Sequence, residues 1–312
     1  MIRIGLLGGR GYVGEELLGL LDRIPEYRVV YAGSHSKAGR SVADECPGVK
    51  LELEFSDLSP RSILDCPADA WIIAQPNGQA AQFVDLLEEE DCKIIDISSD
   101  YRFDDSWTYG LPERNEDEIR GADRVSNPGC YATATQLALL PVLERIDGVP
   151  AAFGVSGFSG AGRTPGERND PRRLADNLIP YSLNGHTHEW EITHHLGVRV
   201  QFMPHVASFF RGISVTLAAT LRDQVTSDEL NSAFRDYYDD DPLVCLGDEI
   251  PEIRQVAETN RCLIGGLVVD NRDAHSMVVV SVIDNLRKGA ASQAIQNLNL
   301  MFDMDSEQGL LE

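Results

Sequence analysis

Lysine is scarce in this sequence, and acidic residues dominate it. Four of its 27 basic residues are lysines, against 50 acidic residues, and the formal net charge is −23. Such a surface repels nucleic acid and anionic membranes, so we expect no nucleic-acid partner and no membrane partner. The same charge suits a protein that stays in solution in a salty or crowded cytoplasm.

Long apolar runs and paired cysteines are also missing. No run approaches the roughly 20 residues that a membrane-spanning helix needs. Strand-like sequence begins at Ile2, so we expect no signal peptide and a cytoplasmic protein. The six cysteines are scattered and form no CxxC pair, which favours reduced thiols over a disulfide framework. Without such pairs we expect no zinc site and no other metal.

The first 130 residues alternate short apolar runs with amphipathic segments. This alternation predicts a doubly wound parallel sheet, the Rossmann type of α/β fold. The strand-like runs cover 2–7, 28–32, 70–74 and 93–97, and the helical patterns cover 13–24 and 79–90.

Beyond residue 130 the strand-like runs are separated by longer segments. We expect a second, α+β domain there, with a mixed sheet that serves substrate binding and subunit contact. Its strands are predicted at 149–157, 198–204, 212–221, 263–269 and 277–283, and a helix at 227–238. A last helical pattern covers 289–302.

A glycine-rich turn follows the first strand. Residues 8–14, GGRGYVG, contain glycines at 8, 9, 11 and 14, between a predicted strand and a predicted helix. Glycines in this position let the backbone approach a pyrophosphate at the positive end of the helix. The turn therefore predicts a dinucleotide site formed by Gly8, Gly11, Tyr12, Val13 and Gly14.

The end of the second strand bears on the choice between NAD and NADP. An NAD enzyme is expected to carry Asp or Glu there, to hold the ribose 2′-hydroxyl. Residues 32–37, AGSHSK, contain no acid. Ser34, Ser36 and Lys37 suit a 2′-phosphate instead, so NADP(H) is the predicted cofactor. A polar loop with Lys37 facing solvent is the alternative.

The octapeptide 126–133, SNPGCYAT, places a thiol at the start of a helix predicted over 131–145. Asn127 is a good N-cap residue, and Pro128 suits the first turn. A thiol there faces unpaired backbone N–H groups and the positive end of the helix dipole, which favour the reactive thiolate. Cys130 is therefore the candidate nucleophile. A small buried cysteine that packs a helix start is the alternative.

Residues 186–191, HTHEWE, concentrate imidazoles and carboxylates. Ile192 stands where an HExxH zinc helix needs its second histidine, so that motif is absent. If 187–195 is helical, His188 and Glu191 lie on one face. Glu191 then orients His188 as the base that deprotonates Cys130 and later donates a proton. A zinc site built from the histidines of 186–195, or a solvated polar face, is the alternative.

Ordered segments along nearly the whole chain resemble the N-acetyl-gamma-glutamyl-phosphate reductase family of the aspartate-semialdehyde dehydrogenase superfamily. No single segment is decisive, but the set in this order is specific. The segments are 8–14, 96–102, 109–113, 126–133, 159–163, 186–192, 210–212 and 284–289.

The resemblance implies an NADPH-dependent reductase of arginine biosynthesis. Its small-molecule substrate is an acyl phosphate, N-acetyl-gamma-glutamyl phosphate, which is reduced to the semialdehyde through a cysteine thioester. The last helix returns to the first domain, so the NADP-binding domain is expected at 1–130 with 285–312. The catalytic, substrate and oligomerisation domain is expected at 131–284. A homo-oligomer, dimer or tetramer, is implied as well.

The resemblance also assigns roles to single residues. By position His188 is catalytic, His186 faces the substrate, and Asn285 lies near the nicotinamide. Arginines in the matching segments are candidates for the phosphate or the α-carboxylate, because a guanidinium binds either one bidentately. The candidate substrate residues are Arg102, Ser159, Arg163, His186 and Arg211, and Arg114 and Arg168 lie in the motif-rich segments.

Two positions depart from the family pattern, and two other functions stay open. Trp190 stands where proline is usual, and Asn77 stands where histidine is usual, which puts a proton-handling role of that loop in doubt. One alternative is the same chemistry on aspartyl phosphate or on a carrier-linked aminoadipyl phosphate of lysine synthesis; the net charge of −23 argues against a carrier. The other is an NADP-binding sensor without catalysis, and the intact Cys130, His188 and Glu191 argue against it.

Overall fold

Strands and helices alternate through the first part of the computed structural model, which describes residues 1–311. The six strands of this first part form one sheet, in which they are all parallel and lie in the order β2-β1-β3-β4-β6-β5. The predicted Rossmann-type sheet is therefore confirmed. The elements are β1 (Ile2–Leu7), α1 (Tyr12–Leu21), β2 (Tyr27–Gly33), α2 (Val42–Glu45), α3 (Pro60–Leu64), β3 (Ala70–Ile73), α4 (Ala81–Leu86), β4 (Lys93–Asp96), β5 (Thr108–Tyr109), α5 (Pro112–Arg120) and β6 (Arg124–Ser126).

A mixed sheet of seven strands follows, in the order β11-β12-β13-β10-β7-β9-β8. Parallel pairs occur at β11–β12 and β7–β9, and the other pairs are antiparallel. The predicted mixed α+β architecture is confirmed. The elements are α6 (Cys130–Leu139), β7 (Ile146–Gly157), α7 (Pro171–Leu174), β8 (Leu178–Pro180), α8 (Thr187–Leu196), β9 (Gln201–Ala207), β10 (Ile213–Leu221), α9 (Ser227–Tyr238), β11 (Val244–Leu246), β12 (Cys262–Asp270) and β13 (Asp273–Ile283).

The last helix, α10 (Ala291–Met301), belongs to the same unit as the parallel sheet. Contacts divide the chain into Met1–Pro128 with the chain from Ala290 onward, and Gly129–Gly289. Within the first unit α10 packs on α1, α5 and β4. All of α10 is buried, and its amides are satisfied in part by main-chain groups of that unit: Asn297 Nδ2, for example, donates to the Gly110 carbonyl at 3.0 Å.

Two predicted helices are shorter in the structure, for different reasons. The helix predicted over 131–145 is α-helical to Leu139 and continues as a 3₁₀ helix from Leu140. Pro141 cannot donate to the Leu137 carbonyl, and the Tyr238 hydroxyl donates to it instead at 2.6 Å. The helix predicted over 79–90 ends at Leu86. The acidic run 88–91 follows, and negative charge is unfavourable at the end of a helix.

Candidate active site

Cys130 is the first residue of α6, so the helix start predicted around the thiol is confirmed. The predicted N-cap is wrong: Gly129 occupies that position, and no side chain caps the helix. Asn127 lies two residues further back, and its side chain does not cap the helix. Its buried amide donates to the Ala290 carbonyl at 3.3 Å and accepts from Asn297 Nδ2 at 3.0 Å.

A carboxylate reaches the start of this helix from α8. Glu191 is fully buried, and its Oε1 accepts a hydrogen bond from the Gly129 N–H at 2.7 Å. A carboxylate is favourable at the positive end of a helix, and its hydrogen bond is charge-assisted. Glu191 therefore fixes the backbone immediately before the thiol. The sequence did not predict this contact, and the predicted pairing of Glu191 with His188 stays a prediction.

The two histidines of HTHEWE lie at the start of α8, whose helical state is confirmed. His186 is the N-cap residue, and its Nδ1 accepts from the His188 N–H at 3.1 Å. The two rings are 4.8 Å apart. Burial, with a smaller effect of the Arg168 charge, lowers the pKa of His186 to about 4. His186 is therefore neutral near pH 7, and because Nδ1 is an acceptor its proton is on Nε2, which leaves one donor for another group.

Tyr131, the residue after the thiol, joins the α6 helix to β9. Its hydroxyl donates to the His205 carbonyl at 2.6 Å, and its ring packs edge-on against Phe202 at 4.9 Å. The ring centre lies 6.1 Å from that of His188. Residues of β9 thus hold the tyrosine beside the candidate base. Sequence reasoning missed this residue, although its place directly after Cys130 was a usable signal.

A glycine allows the chain that follows β13 to approach the thiol. A Cβ on Gly289 would lie 2.7 Å from the Cβ of Cys130, closer than two such atoms can come. In the same loop Asn285 Oδ1 accepts from the Gly212 N–H at 2.6 Å, and its Nδ2 donates to the Ser159 hydroxyl at 2.9 Å. The structure thus brings together two residues that were predicted for different ligands, Asn285 and Ser159.

The candidate arginines differ in their surroundings. Arg211 Nε donates to the fully buried Asp284 at 2.6 Å. Arg102 is buried, and it donates to the carbonyls of Asn127 and Ile97, each at 2.9 Å. Arg163 is exposed. These contacts give Arg211 and Arg102 structural roles, and the substrate roles of all three stay predictions.

The glycine turn in the first unit has the form of a nucleotide-binding loop. Gly8 has a positive φ of 114°, and a Cβ there would meet the Ala74 carbonyl oxygen at 2.2 Å. A Cβ on Gly14 would lie 2.4 Å from the Gly8 oxygen. At Gly11 the nearest atom would be 3.6 Å away, so packing does not demand glycine there and the backbone is open to an approaching group. These residues fit a pyrophosphate at the start of α1, where Tyr12 and Val13 follow.

The polar residues after β2 are held by neighbours within the same unit. The Lys37 amine lies 3.6 Å from Glu15 and 3.3 Å from Glu45. Ser34 is buried, and its hydroxyl accepts from the Lys37 N–H at 3.2 Å. Arg10, in the glycine turn, donates to the Ser36 hydroxyl at 3.3 Å. Arg10 was missed, although a basic residue inside the turn was a readable signal.

The loop with the departure at Asn77 is ordered by backbone hydrogen bonds. Asn77 Oδ1 accepts from the Ser99 N–H at 3.1 Å, so the residue that replaces the usual histidine joins the ends of two neighbouring strands. Asp100 accepts from the N–H groups of Gly78 and Ala80 at 2.6 and 3.0 Å.

Within residues 1–311 no group of three His, Cys, Asp or Glu side chains could hold a metal ion. No helix in this range has the length and apolar character to cross a membrane.

Two family models match the chain, one for each part. Residues 3–122 match the NAD binding domain of semialdehyde dehydrogenases, and residues 130–285 match their dimerisation domain. An N-acetyl-gamma-glutamyl-phosphate reductase of Xanthomonas campestris pv. campestris (strain B100) is 44% identical over 97% of this chain and 96% of its own length. The chain belongs to the N-acetyl-gamma-glutamyl-phosphate reductase family.

Other relatives and solved structures fit this family membership. A reductase with the same name from Stenotrophomonas maltophilia is 43% identical over 97% of the chain and 96% of its own length. Protein arg11, mitochondrial, of Schizosaccharomyces pombe is 42% identical over 99% of the chain, which spans 35% of that longer protein. The resemblance expected from the sequence is confirmed by these reductases.

Two solved structures share the fold at low sequence identity. Aspartate semialdehyde dehydrogenase II of Vibrio cholerae, complexed with ASA, has a TM-score of 0.80 and 18% identity, with 97% of this chain and 98% of that chain covered. The enzyme of Candida albicans with NADP has a TM-score of 0.78 and 16% identity over the same shares. These likenesses show the fold, which agrees with the match of the chain to an NAD binding domain and a dimerisation domain of semialdehyde dehydrogenases.

Proposed function

We propose that this chain reduces N-acetyl-gamma-glutamyl phosphate to N-acetyl-glutamate semialdehyde and phosphate with NADPH, in arginine biosynthesis. The observation that carries the proposal is the thiol at the start of α6, with Glu191 on the preceding N–H and the histidines of α8 packed nearby. Reductases of this name, 41–44% identical over almost the whole chain, support the choice of substrate.

The first step is the attack of the Cys130 thiolate on the acyl carbon. A C–S bond forms, the bond from that carbon to the phosphate oxygen breaks, and the leaving phosphate takes the electron pair. The positive end of the α6 dipole favours an anion at the sulfur, and the first N–H groups of the helix are suited to bond the oxyanion. His188 takes the thiol proton, supported by the Glu191 carboxylate. The product of this step is an enzyme thioester.

The second step reduces the thioester. NADPH, when bound, supplies the hydride that brings the acyl carbon to the aldehyde level. His188 gives its proton to the oxyanion, which forms a thiohemiacetal. As the C–S bond breaks, His188 takes the hydroxyl proton back, so the carbonyl of the aldehyde forms and the electron pair returns to Cys130 as the thiolate. The neutral His186 offers its Nε2 proton to the substrate, while Ser159 and Asn285, bonded to each other at 2.9 Å, are the further contacts that we propose for substrate and nicotinamide.

We assign the preference for NADPH to the residues around the end of β2. Residues 32–37, at the end of β2, contain no acid to hold a ribose 2′-hydroxyl. The Arg10 guanidinium and the Ser36 hydroxyl, 3.3 Å apart, form the pair best placed for a 2′-phosphate. The Lys37 amine is paired with Glu15 and Glu45. The Ser34 hydroxyl accepts a hydrogen bond from the Lys37 N–H. We therefore assign both residues a secondary part in binding the 2′-phosphate.

The domain roles follow from these assignments. We propose that 1–130 with 285–312 bind the cofactor and that 131–284 bind the substrate and form the subunit contact. The outward side chains of neighbouring strands β9, β7 and β10 form a mixed face. Its apolar and small members are Met203, Ala151, Phe153, Val155 and Ala218, and its polar members include Gln201, His205, Ser214 and Thr216. Phe153 remains 38% exposed, which fits a face covered by a second copy. Phe153→Asp is expected to give monomers in analytical ultracentrifugation, and an unchanged assembly would contradict this face.

The proposed compartment is the cytoplasm, because of the acidic composition and the scattered thiols. The fission yeast relative is named mitochondrial. Fluorescence of the tagged chain in its own host is expected to fill the cytoplasm, and confinement to another compartment would contradict the proposal.

The proposed reaction is tested by NADPH oxidation with three acyl phosphates in parallel. We expect turnover with N-acetyl-gamma-glutamyl phosphate, and phosphate-dependent NADP⁺ reduction with its semialdehyde. Aspartyl phosphate and carrier-linked aminoadipyl phosphate are the controls. If kcat/KM for either control exceeded that for N-acetyl-gamma-glutamyl phosphate, that control would become the proposed substrate. Cofactor binding without turnover of any of the three would instead favour an NADP-binding sensor.

A further inference from the structure

Arg168 lies in the exposed segment between β7 and β8 and folds back onto Tyr181. Its guanidinium carbon is 4.8 Å from the centre of the Tyr181 ring. Burial is the main cause that raises the pKa of Tyr181, and the Arg168 charge acts against it. Tyr181 directly follows β8, where its N–H donates to the Pro204 carbonyl at 3.2 Å. An arginine on an exposed loop is thus held against an aromatic side chain whose backbone is fixed by the sheet.

Tyr181 also lies close to the residue after the thiol. Tyr181 and Tyr131 shift the pKa of each other, and the Tyr131 hydroxyl donates its proton to the His205 carbonyl at 2.6 Å. Burial is the main cause that raises the pKa of Tyr181 to about 12, so the ring beneath the guanidinium stays neutral near pH 7.

The charge of Arg168 is not neutralised by a carboxylate. Within residues 1–311 it forms no salt bridge, whereas Arg173 in the same segment pairs with Glu167 and Arg211 pairs with the buried Asp284. A guanidinium whose described partners are uncharged keeps its capacity for a bidentate bond to an anion.

This charge is close to the candidate catalytic residues. The Tyr181 and His186 rings are 5.6 Å apart, and those of His186 and His188 are 4.8 Å apart. After burial, the Arg168 charge is the second cause that lowers the pKa of His186, and a thiolate at Cys130 contributes to the raised pKa of Tyr181. Arg168, Tyr181, His186 and the thiol therefore share one neighbourhood of the second unit.

We propose that Arg168 binds the phosphoryl group of the acyl phosphate, and that Tyr181 is the residue that positions it. The inference rests on the function proposed above. One oxygen joins the phosphorus to the carbon that Cys130 attacks, whereas the α-carboxylate lies several bonds away. A cation near the thiol is therefore closer to the phosphoryl group than to the α-carboxylate. Arg168 also stabilises the charge that builds on the leaving phosphate.

The first test needs no substrate. Iodoacetate and iodoacetamide alkylate the same thiol, but iodoacetate alone is an anion, so the ratio of their rates at Cys130 reports the local positive charge. Arg168→Ala is expected to lower this ratio at least about fivefold, the effect of one unit charge at short range. Arg172→Ala, which removes the same charge from the same segment, is the control and should change the ratio less than twofold. Equal effects of both variants would overturn the proposal.

The second test uses the reverse reaction, in which phosphate is a substrate. Arg168→Ala is expected to raise the KM for phosphate about 10- to 100-fold, the usual effect of losing a hydrogen bond to a charged group. The KM values for semialdehyde and NADP⁺ should change less than about threefold. A rise confined to the semialdehyde KM would give Arg168 to the carboxylate and overturn the phosphoryl assignment. Wild-type protein without any turnover would instead refute the proposed function. The alkylation ratio would still test the charge of Arg168, because it needs no turnover.

Tyr181→Leu isolates the positioning role. The variant removes the aromatic face beneath the guanidinium, whereas Tyr181→Phe keeps this face and is the matched control. We expect the KM for phosphate to rise about three- to tenfold in Tyr181→Leu, near the value of one cation–π contact, and less than about twofold in Tyr181→Phe, with the KM for NADP⁺ unchanged in both. An unchanged KM for phosphate in Tyr181→Leu would remove Tyr181 from the proposal, and a lowered melting temperature with equal rises in all KM values would indicate a structural role only.

Discussion

The glycine turn of the first unit and the thiol cluster of the second unit, the two candidate sites, are built from different groups. In the turn, the backbone forms the site: Gly8 and Gly14 are required by contacts in which a Cβ would lie within 2.4 Å of a carbonyl oxygen. In the thiol cluster, side chains form the site, and they come from α6, α8 and the segment between β7 and β8.

This difference decides how each region responds to substitution. A site formed by backbone N–H groups keeps most of its function when a side chain at its edge is changed. A site formed by a thiol, an imidazole and a carboxylate loses a chemical step with each of them. We therefore expect the largest effects in the thiol cluster and the smallest around the cofactor loop.

Cys130→Ser is expected to cause the largest loss. Serine keeps the shape of the site, but its hydroxyl is far less ionised than a thiol near neutral pH, so turnover should fall by at least about three orders of magnitude. Steady-state NADPH oxidation measures the loss, and mass spectrometry of enzyme mixed with acyl phosphate detects the adduct. Cys245→Ser, in β11, is the control for thiol loss elsewhere. Near-normal turnover of Cys130→Ser would rule out a thioester.

His188→Asn is expected to lower turnover by about 10² to 10⁴, the usual range for general acid–base catalysis. The acidic limb of the pH profile of the phosphate-dependent reaction should disappear with it, because a base must be neutral to act. His186→Asn is the matched control. Since the pKa of His186 is about 4, this residue should affect mainly the substrate KM and leave the limb in place. If His186→Asn removed the acidic limb and His188→Asn changed mainly the substrate KM, the base would be His186.

Glu191→Gln separates the two roles of that side chain. The amide oxygen can still accept from the Gly129 N–H, which now bonds Glu191 at 2.7 Å, but the negative charge is lost. If the charge supports His188, turnover should fall about 10²-fold while the melting temperature stays within a few degrees of the wild type. Full activity would limit Glu191 to its hydrogen bond at the helix start.

A pH effect on stability should be the next in size. Burial lowers the pKa of His186 to about 4, from an ordinary value near 6.5. Between these values the unfolded chain binds the proton more readily, so the stabilisation is complete above pH 6.5 and is lost as the pH falls towards 4. By pH 5 the loss amounts to about 2 kcal/mol. Urea unfolding at pH 7 and pH 5 measures it, and His186→Asn should show a smaller difference. An equal difference in both proteins would remove His186 as its source.

The sequence predicted the backbone site more completely than the side-chain site. Both sheets, the turn after β1 and the helical state of α8 follow from local patterns, since apolar period and glycine spacing are written in consecutive residues. The N-cap at Asn127 was wrong because capping was judged from residue type, whereas tertiary contacts use that amide elsewhere.

The thiol cluster was only partly predictable, because its members are joined by long-range contacts. Cys130 and His188 stand in recognisable segments. Tyr181 and the hydrogen bond from Glu191 to Gly129 depend on how α8 and β8 pack, which no local pattern encodes. Arg10 is the opposite case: it stands inside the glycine turn, and its partner Ser36 follows the next strand, so a closer reading of the turn could have found it.

The cofactor loop should show the smallest effect of a single side chain. We expect kcat/KM for NADPH to exceed that for NADH at least about tenfold, about 1.4 kcal/mol. Arg10→Ala should remove most of this preference and leave kcat/KM for NADH nearly unchanged, because the arginine would meet only the 2′-phosphate. Lys37→Ala should lower the preference less than about threefold, since its amine already lies 3.6 and 3.3 Å from two carboxylates. If Lys37→Ala lowered the preference more than Arg10→Ala, Lys37 would be the main ligand of the 2′-phosphate. Equal use of both cofactors by the wild-type enzyme would show that the absence of an acid after β2 does not select NADP in this fold.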